Sequence, residues 1–442
     1  MNILLVGNGA REHAIIKTLA KSRQDKKLYA FMGAKNPGIA RIAEGYTLGD
    51  ACNPAQVSEY ATKNRIELAV VGPEAPLNAG VVDALEEKGV KCASPRKIAA
   101  QLETDKTFCR NLLEKHRIKG NPRYGIFSEL KKAVDFIDSI DYDFVVKPAG
   151  LTGGKGVKVM GEHMKGKEDA KTYVREILNA KVGHLAQAVI EEKLVGEEFT
   201  LQAFVDGKNV VGTPRVQDHK RAYEGDRGPN TGGMGSYSNN QMLLPFITQK
   251  DYDQGIEMME KTINAIQKET GTPYRGFLYG QFMATKDGIG LIEYNARLGD
   301  PEAMNMLSVL DSDFIEICNG MANGSLKKDV RFNRKATVCK YMVPEGYPDN
   351  PKKNVEIMVD ENAIQKLGGQ VYYASVKEEY GKIISSPSRS IAVIGTDDSL
   401  EKAEKAAEES MKHVKGDLFH RKDIGTKALI QKRVDHMKEI RG

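Results

Sequence analysis

Short runs of consecutive apolar residues alternate with helical stretches along the first quarter of the chain. The apolar runs fall at residues 3–6, 28–32 and 68–71, and a further short strand is predicted at 90–93. Strands that are apolar on both faces are typical of a parallel sheet with helices on either side. The pattern therefore predicts an N-terminal α/β domain that is built on a parallel sheet and ends near residue 104.

The pattern changes twice further along the chain. A region that mixes strands with helices follows, including a long predicted helix at residues 251–268. Within this region, the polar and glycine-rich segment 217–238 has neither a strand nor a helix period, so a long functional loop is predicted there. From about residue 329, alternating apolar and polar residues predict a β-rich domain, and the basic tail 431–442 is predicted to be a solvated helix end.

Composition and charge narrow the class of protein. Of the 442 residues, 65 are basic and 60 acidic, and the net charge of +5 is too small to favour a nucleic-acid binder. There are five cysteines and no C-x-x-C pair, which indicates a reducing compartment without a zinc or disulfide framework. No apolar run approaches the roughly 18–20 residues of a membrane helix. We therefore expect a cytoplasmic enzyme that binds neither nucleic acid nor membrane.

A glycine turn follows the first predicted strand. Gly7-Asn8-Gly9 opens a helix, and backbone amides at a helix N-terminus bind phosphate. Glu12 stands where a dinucleotide-binding fingerprint has its third glycine, and no acidic residue ends the second strand, so a nicotinamide or flavin cofactor is disfavoured. Gly9 is a candidate for a substrate phosphate, with a ligand-free turn as the alternative. Glu74, beyond the strand at 68–71, is a candidate acceptor for sugar hydroxyls.

A lysine and a glycine-rich segment mark a candidate nucleotide site. Lys147 ends a predicted strand, and Gly153-Gly154-Lys155-Gly156 follows it. Glycines let the backbone approach phosphate oxygens, and Lys155 precedes glycine rather than the Ser or Thr of a Walker A loop. These features predict a hairpin flap over a nucleotide, with an ordinary glycine turn as the alternative. Glu191-Glu192 ends a later strand, where backbone groups suit an adenine edge, and Glu198 suits ribose hydroxyls.

The strand that precedes residue 298 carries a polar face. Glu293, Asn295 and Arg297 alternate along it and therefore point to the same side. Glu293 and Asn295 offer the hard oxygen ligands that Mg²⁺ prefers, and Gln281 on the preceding strand lies within reach of the same metal. Arg297 offers a guanidinium fork for a carboxylate or a phosphate. A structural salt-bridge network is the alternative interpretation.

The polar segment in the middle of the chain concentrates charge. Gln217-Asp218-His219-Lys220-Arg221 combines an acid with several cationic groups, and the glycines of residues 228–235 follow it. This set suits an anionic, polar substrate. His219 is a candidate general base, although a lone histidine is more often structural.

Taken in order, these segments resemble the ATP-grasp superfamily and, within it, the phosphoribosylamine–glycine ligase family. The matching motifs are GNGAREHA at residues 7–14, VGPEAPL at 71–77, GGKGV at 153–157, QDHKR at 217–221, GPNTGGMG at 228–235, IEYNARLGDPE at 292–302 and RKDIG at 421–425. GGKGV alone is typical of any ATP-grasp protein, whereas QDHKR, GPNTGGMG and RLGDPE together are specific to the ligase. The chain departs from the family at Ala149, where an aspartate is frequent, and at residues 303–305.

The resemblance implies an architecture and a reaction. It implies an N-terminal substrate domain at 1–104, a two-lobed ATP-grasp (α+β) domain at 105–328 with a flap subdomain at about 123–193, and a C-terminal β-rich domain at 329–442. The implied reaction joins glycine to 5-phosphoribosylamine through glycyl phosphate, and it gives glycinamide ribonucleotide, ADP and phosphate in de novo purine biosynthesis. The implied partners are these small molecules, with ATP as co-substrate and Mg²⁺ or Mn²⁺ as the metal. We expect a monomer, with a dimer as the alternative.

The resemblance also implies residue roles. Catalysis is implied for Arg297, Asp218 and Lys220, and metal binding for Gln281, Glu293 and Asn295. Nucleotide contacts are implied for Lys106, Lys147, Gly153, Gly154, Lys155, Gly156, Glu191, Glu192, Leu194 and Glu198. Contacts with the other substrates are implied for Gly9, Glu74, His219, Arg221, Asn230, Gly232, Gly233, Met234, Gly299 and Asp300. The sequence leaves two alternatives open, which are another ATP-grasp carboxylate–amine ligase and a non-catalytic nucleotide-binding or NAD-dependent protein.

Overall fold

The N-terminal region is a parallel sheet with interspersed helices. The computed structural model describes residues 1–151, 156–180, 182 and 185–442. The first elements are β1 (Asn2–Val6), α1 (Ala10–Ala20), β2 (Lys27–Met32), α2 (Pro37–Ile42), β3 (Gly45–Leu48), α3 (Pro54–Lys63), β4 (Leu68–Val71), α4 (Glu74–Ala79), α5 (Val81–Glu87) and β5 (Lys91–Cys92). The strand order is β3-β2-β1-β4-β5, and all neighbours are parallel, which confirms the predicted sheet.

Two helices lead out of this region and are separated by a single residue. They are α6 (Lys97–Thr104) and α7 (Lys106–Lys115). Asp105 between them has an extended backbone, and its carboxylate accepts hydrogen bonds from the amides of Thr107 at 2.8 Å and Phe108 at 3.2 Å. Such an N-cap fixes where a helix begins. As a result, Lys106 stands at the first position of α7.

A small antiparallel sheet forms a lobe with its own core. Its elements are β6 (Tyr124–Phe127), α8 (Leu130–Ser139), β7 (Phe144–Pro148), β8 (Lys158–Val159), α9 (Lys167–Ala180) and β9 (Ala188–Glu192), in the strand order β6-β9-β7-β8. Phe144 of the sheet packs in one apolar cluster with Ile137 of α8 and Val174 of α9. Because this cluster is separate from the main core, the lobe is packed around a core of its own.

The central region carries a second antiparallel sheet. Its elements are β10 (Glu197–Asp206), β11 (Val210–Gly212), β12 (Gln217–Asp218), β13 (Arg221–Tyr223), β14 (Arg227–Asn230), β15 (Gly235–Ser238), α10 (Gln249–Thr270), β16 (Arg275–Thr285), β17 (Gly288–Asn295), α11 (Glu302–Ser308) and α12 (Phe314–Asn323). The sheet has the order β11-β10-β16-β17. We call its strands β10, β16 and β17 the central sheet.

The central sheet has one apolar and one polar face. On the apolar face, Phe282 is fully buried, with its ring 5.6 Å from that of Phe199 and 6.4 Å from that of Tyr294, and α10 covers these side chains. On the other face, the register aligns Gln281 with Thr200 on one side and with Glu293 on the other. Side chains that are directly opposite in an antiparallel pair share a face. The sheet thus separates the hydrophobic core from a row of polar side chains.

The C-terminal region is β-rich and takes two strands from the centre of the chain. Its elements are β18 (Ala336–Pro344), β19 (Glu356–Val359), α13 (Glu361–Lys366), β20 (Gly369–Tyr373), β21 (Val376–Glu379), β22 (Lys382–Ser385), β23 (Ile391–Asp397), α14 (Leu400–Met411), β24 (Val414–Lys415), β25 (Leu418–Phe419) and α15 (Lys427–Arg441). Its main sheet runs β12-β15-β18-β23-β20, so that strands from residues 217–238 complete it.

The prediction of one long loop at residues 217–238 was therefore wrong. Four short strands lie there, and β13 and β14 form a hairpin. Each strand has only two to four residues, which is too short for a strand period to show in the sequence. Gly235 has a φ of +155°, and a Cβ there would lie 2.3 Å from the carbonyl oxygen of Cys339. Glycine is thus required for the close approach of β15 to β18. We call residues 217–235 the ribbon.

The C-terminal tail is helical, as predicted, but one side of the helix is docked rather than solvated. Leu429, Ile430 and Met437 of α15 are buried. Arg441 donates two hydrogen bonds, of 2.9 and 2.8 Å, to the carboxylate of Asp251 on α10. The exposed side of the helix is basic, and its other side packs against the rest of the protein. Charge composition alone does not reveal this packed side.

Disulfides, clustered metal ligands and membrane helices would each indicate a particular class of protein. The cysteines are unpaired, with Cys52 exposed and the other four buried. In this part of the chain, no group of three or more His, Cys, Asp or Glu side chains has the arrangement of a metal centre. None of the described helices combines the length and apolarity that crossing a membrane requires.

Replacing Phe282 with alanine should lower the free energy of unfolding by about 3–5 kcal/mol, because it leaves a cavity at the contact of the central sheet with α10. Thermal and denaturant unfolding of the full chain measure this loss. Tyr380→Ala is the control, because Tyr380 is fully exposed at a hairpin tip. Equal unfolding midpoints for the two variants would contradict this account of the core.

Candidate active site

A cavity of about 1030 Å³ lies over the polar face of the central sheet. The small lobe, α7, the ribbon and α15 form its other walls. Most residues that the sequence singled out line it: Glu74, Lys106, Lys147, Glu191, Glu192, Leu194, Glu198, Asp218, His219, Lys220, Arg221, Asn230, Gly232, Gln281, Glu293, Asn295, Arg297, Gly299 and Asp300. Residues that are far apart in the chain therefore meet in one place.

A few predicted residues are placed differently. Gly153, Gly154 and Lys155 lie outside the described residues. Gly9, Gly156, Gly233 and Met234 are not part of the cavity wall. The amide of Gly9 donates a 2.6 Å hydrogen bond to the carboxylate of Glu12, so the first turn of α1 satisfies this donor internally.

A buried ion triad forms the inner end of the cavity. Both nitrogens of the Arg110 fork donate to the Glu191 carboxylate at 2.8 Å, and Lys147 Nζ donates to it at 2.6 Å. Arg110 and Lys147 also donate to the carbonyl oxygen of Ile292, at 2.7 and 3.2 Å. All three charged side chains are nearly inaccessible to solvent. Burial alone would raise the pKa of Glu191, but Arg110 and Lys147 lower it to about 2.

Lys106 completes the cationic side of the cavity. Its Nζ donates a 2.9 Å hydrogen bond to the carbonyl oxygen of Gly150, which follows β7. Burial lowers the pKa of Lys106, while Glu293 acts in the opposite direction. A helix that begins at this lysine therefore presents an amine to the loop that leads into the predicted flap.

The polar face of the central sheet holds the candidate metal ligands. Gln281 and Glu293 are cross-strand neighbours, and Asn295 lies two residues further along the same strand. Burial opposes ionisation of Glu293, but Lys220, Lys106 and Lys147 hold its pKa below the ordinary value. Gln281 Oε1 accepts from Lys220 at 2.6 Å, and Asn295 Oδ1 accepts from Arg297 at 3.3 Å. One carboxylate and two amide oxygens on one face fit a hard divalent cation whose other ligands are phosphate oxygens and water.

Arg297 is held by two carboxylates. Its guanidinium lies 3.0 Å from Glu103 and 3.4 Å from Glu74. Burial raises the pKa of Glu103 to about 7, against the opposing effect of Arg297. Burial also opposes ionisation of Glu74, but Arg297 and Arg11 lower its pKa to about 2. The fork is thus oriented by the N-terminal region at the edge of the cavity.

The ribbon presents a half-buried acid near a lysine. Asp218 Oδ1 is buried and has no hydrogen-bond partner among the described residues. Burial and the nearby Glu302 raise the pKa of Asp218 well above the ordinary value. Burial opposes the charge of Lys220, but Glu198 and Glu293 raise its pKa. A cationic ligand at Asp218 would stabilise the ionised carboxylate there.

His219 is almost completely buried. Its Nδ1 lies 3.6 Å from Asp226, and burial lowers its pKa. The ring also stacks on that of Tyr237, with centroids 5.9 Å apart. These contacts favour the structural interpretation of His219 over the general base.

Arg389 fixes the glycine-rich end of the ribbon. It donates to the carbonyl oxygens of Gly232 at 2.6 Å, Gly233 at 3.1 Å and Asp300 at 2.7 Å. Tyr341 donates to the Asp300 carboxylate. The C-terminal region thereby holds the two segments that carry the most specific motifs.

Sequence reasoning missed several functional neighbours of the cavity. Glu103, Arg110 and Arg389 contact predicted site residues, and Glu302 lines the same cavity and accepts a hydrogen bond from Tyr279. Glu302 lies in the quoted RLGDPE motif, which was a usable signal. Arg110 stands next to Cys109 and near Leu112 and Leu113, on the buried side of α7, and a charge at such a position is a weaker signal.

Comparison with known proteins adds to this geometry. Models of three phosphoribosylglycinamide synthetase domains match the chain, namely the N domain at residues 1–103, the ATP-grasp (A) domain at 104–303 and the C domain at 337–427. The chain belongs to the phosphoribosylglycinamide synthetase family. This membership confirms the resemblance that the motifs indicated.

Relatives in the phosphoribosylglycinamide synthetase family match the chain along its whole length. It is 51% identical over 441 residues to phosphoribosylamine–glycine ligase of Methanothermobacter thermautotrophicus, and 52% identical over 446 residues to that of Methanocaldococcus jannaschii, with 100% of both chains covered in each case. The crystal structure of phosphoribosylamine–glycine ligase from Thermotoga maritima aligns with a TM-score of 0.82 at 28% identity, over 96% of this chain and 100% of that chain. The expected α/β, ATP-grasp and β-rich fold class is confirmed.

Glu191→Gln should lower the free energy of unfolding by about 3–5 kcal/mol near neutral pH, because it leaves Arg110 and Lys147 buried without their anion. The pKa of Glu191 is about 2 in the fold, below its ordinary value of 4.5. Its stabilising effect is therefore present above about pH 4.5 and is lost as the pH falls toward 2.

Melting temperatures of the wild type and of Glu191→Gln, measured from neutral to acidic pH, check this expectation. The difference should be largest near neutral pH and should shrink below about pH 4.5. Glu260→Gln on the exposed side of α10 is the control, and it should follow the wild type. A difference that does not change with pH would contradict the ionised triad.

Proposed function

We propose that the protein catalyses the ATP-dependent ligation of glycine to 5-phosphoribosylamine, giving glycinamide ribonucleotide, ADP and phosphate in de novo purine biosynthesis. It is an ADP-forming carboxylate–amine ligase of the ATP-grasp type. One observation carries the proposal. The ionised Glu293, surrounded by Lys106, Lys147 and Lys220, faces the same cavity as the ribbon motif Gln217–Arg221. A cation-rich phosphate side and a substrate side are thus combined in one enclosed space.

The proposed chemistry has two displacement steps. An oxygen of the glycine carboxylate attacks the γ-phosphorus of ATP, the bond to the bridging oxygen breaks, and ADP leaves. The amino nitrogen of phosphoribosylamine then attacks the carbonyl carbon of glycyl phosphate, expels phosphate and loses a proton. No protein nucleophile is needed, so that positioning and charge neutralisation are the contribution of the protein.

The nucleotide is proposed to bind between the small lobe and the central sheet. Lys106 and Lys147 neutralise its phosphates, and the segment Glu191 to Leu194 offers backbone groups to the adenine. Glu198 accepts from the ribose hydroxyls. The glycine-rich segment 153–156 is proposed to close over the phosphates, because an acyl phosphate that is open to water is lost by hydrolysis.

Divalent metal use is general in ATP-grasp ligases, and we propose Mg²⁺ or Mn²⁺ for this chain. Gln281, Glu293 and Asn295 are the residues that would hold it. When bound, it supplies positive charge to the ATP phosphates. Around it, Lys220 orients the amide of Gln281 through its 2.6 Å hydrogen bond.

The other substrates are proposed to bind along the ribbon and the N-terminal region. Arg297 holds the glycine carboxylate or the acyl phosphate, and Asp218 holds the glycine ammonium. Phosphoribosylamine is proposed to contact Gly9, Glu74, Lys220 and Asn230. Further substrate contacts are proposed at His219, Arg221, Gly232, Gly233, Met234, Gly299 and Asp300.

The organisation of the chain is also part of the proposal. We propose domain boundaries at residues 1–104, 105–328 and 329–442, with the flap subdomain at about 123–193. We propose a cytoplasmic monomer, and the unpaired cysteines are consistent with a reducing compartment. The substrates are small molecules.

ADP release by the purified protein tests the function. The assay contains ATP, Mg²⁺, glycine and phosphoribosylamine that is generated in place from ribose 5-phosphate and ammonia. ADP release that requires both substrates, with glycinamide ribonucleotide as product, is the expected result. ADP release with a different acid or amine would retain the ATP-grasp chemistry and overturn the assigned substrates.

Glu293→Gln should abolish turnover while the protein stays folded, because the variant loses the only carboxylate among the proposed metal ligands. Steady-state ADP release and far-UV circular dichroism measure the two effects. Glu260→Gln removes an exposed carboxylate from α10 and should retain full activity. Near-normal turnover of Glu293→Gln at ordinary Mg²⁺ concentrations would contradict the metal assignment.

Asp218→Asn should raise the KM for glycine about tenfold to a hundredfold, because a charge-assisted hydrogen bond to the ammonium is lost. The pKa of Asp218 lies well above its ordinary value in the free protein. Binding of the ammonium requires the ionised carboxylate, so the wild-type KM for glycine should fall as the pH rises. The variant should lack this component, and Asp253→Asn on the exposed side of α10 should retain it. Identical pH profiles for wild type and Asp218→Asn would overturn the role of Asp218.

A further inference from the structure

The C-terminal helix α15 contributes a wall of the active-site cavity. Arg433, His436 and Glu439 line it. The helix spans Lys427–Arg441, whereas the match to the C domain of the family ends at residue 427. Nothing in the motifs assigns a role to this helix.

Arg433 bridges two acidic residues from different walls of the cavity. Its NH1 lies 3.3 Å from Glu197 Oε2, and its NH2 forms an ion pair with Asp226. The side chains of Glu197, Arg433 and Asp226 are 6%, 17% and 19% exposed, so that water screens these charges only weakly. His436, one turn further along α15, reinforces the same anchor with a 2.6 Å contact from its Nδ1 to Glu197.

Glu197 stands where the chain returns from the small lobe to the central sheet. It is the first residue of β10 and directly precedes Glu198, the proposed ribose ligand. The backbone before it is tightly packed, since a Cβ on Gly196 would lie 1.7 Å from the carbonyl oxygen of Ala284. We call residues 193–197 the hinge. The contact with Arg433 therefore fixes the nucleotide side of the cavity.

Asp226 stands at the tip of the β13–β14 hairpin of the ribbon. Gly225 and Asp226 both have positive φ values, of 72° and 58°, which few non-glycine residues adopt without compensating contacts. Asp226 gains such contacts from Arg433, from Arg421 at 3.0 Å and from His219 at 3.6 Å. Through His219, Asp226 contacts the residue that lies between Asp218 and Lys220 on the ribbon.

We propose that Arg433 is a positioning residue of the ligase, which fixes the substrate ribbon relative to the nucleotide hinge. This inference rests on the function proposed above. It acts through Asp226 and Glu197 rather than by touching a substrate. A planar guanidinium can hold two carboxylates at a fixed separation, whereas the point charge of a lysine cannot. Because this reaction depends on the placement of its reactants, a displaced ribbon raises the KM for glycine and lowers kcat/KM without any loss of a reacting group.

Steady-state kinetics of full-length variants test the proposal. Arg433→Met should raise the KM for glycine and lower kcat/KM about tenfold to a hundredfold. Arg433→Lys should not restore the wild-type KM, because it loses the fork. Lys438→Met removes a cation from the exposed side of the same helix and should match the wild type. A loss in Arg433→Met that lies in kcat alone, with unchanged KM, would indicate a smaller folded fraction and would overturn positioning.

A double variant separates an effect through Asp226 from an independent one. If Arg433 acts through this carboxylate, Arg433→Met combined with Asp226→Asn should be little slower than Asp226→Asn alone. Fully additive losses in kcat/KM would overturn the proposed coupling.

Hydrogen exchange distinguishes a failure of this inference from a failure of the proposed function. Amides of the hinge and of the hairpin at residues 221–230 should exchange faster in Arg433→Met than in the wild type and in Lys438→Met. If the amides exchange faster in Arg433→Met but the wild type releases no ADP, the proposed function is overturned and the coupling is supported. Unchanged exchange in both segments would overturn the coupling, whatever the wild-type activity.

Discussion

The buried triad of Arg110, Glu191 and Lys147 is the interaction on which the rest of the site depends. It joins α7, the two inner strands of the small lobe and, through the carbonyl oxygen of Ile292, the central sheet. Removing three charges from water is costly, and only complete mutual pairing offsets that cost. The relative positions of the three side chains are therefore fixed tightly. The segments that carry these side chains are held in place with them. The start of α7 and the loop after β7 are thereby brought to the cavity wall.

The charged side chains of the cavity differ in how completely they are paired with each other. Glu191 is saturated by two cations in the interior, whereas Glu293 is surrounded by amines without such close contacts. Arg297 forms ion pairs with two acids, Glu74 and Glu103. Asp218, by contrast, has no cation in direct contact among the described residues. Within the part of the chain that the structure describes, Glu293 and Asp218 are thus left without a direct cationic partner, whereas Glu191 and Arg297 are paired within the protein.

Much of the fold and part of the site follow from local sequence pattern. Continuous apolar runs predicted the parallel sheet, and the alternation of Glu293, Asn295 and Arg297 predicted a shared face, because both depend only on strand geometry. β13 and β14 were missed because each is too short to show a strand period, and β15 was missed because it is stabilised by β18, a hundred positions later. Glu103, Arg110 and Arg433 were missed for the same reason, since each acquires its role from a partner that is distant in the chain.

The sharing of strands between the central and C-terminal regions has a consequence for how this chain can be divided. β15 lies between β12 and β18, so that a cut near residue 329 would leave its backbone donors and acceptors without their partners. An open strand edge of this kind pairs readily with other chains and promotes aggregation. The three regions that the sequence suggests are therefore not exchangeable parts. Fragments, fusions and chimaeras of this chain would have to keep residues 217–238 together with the C-terminal sheet to avoid aggregation.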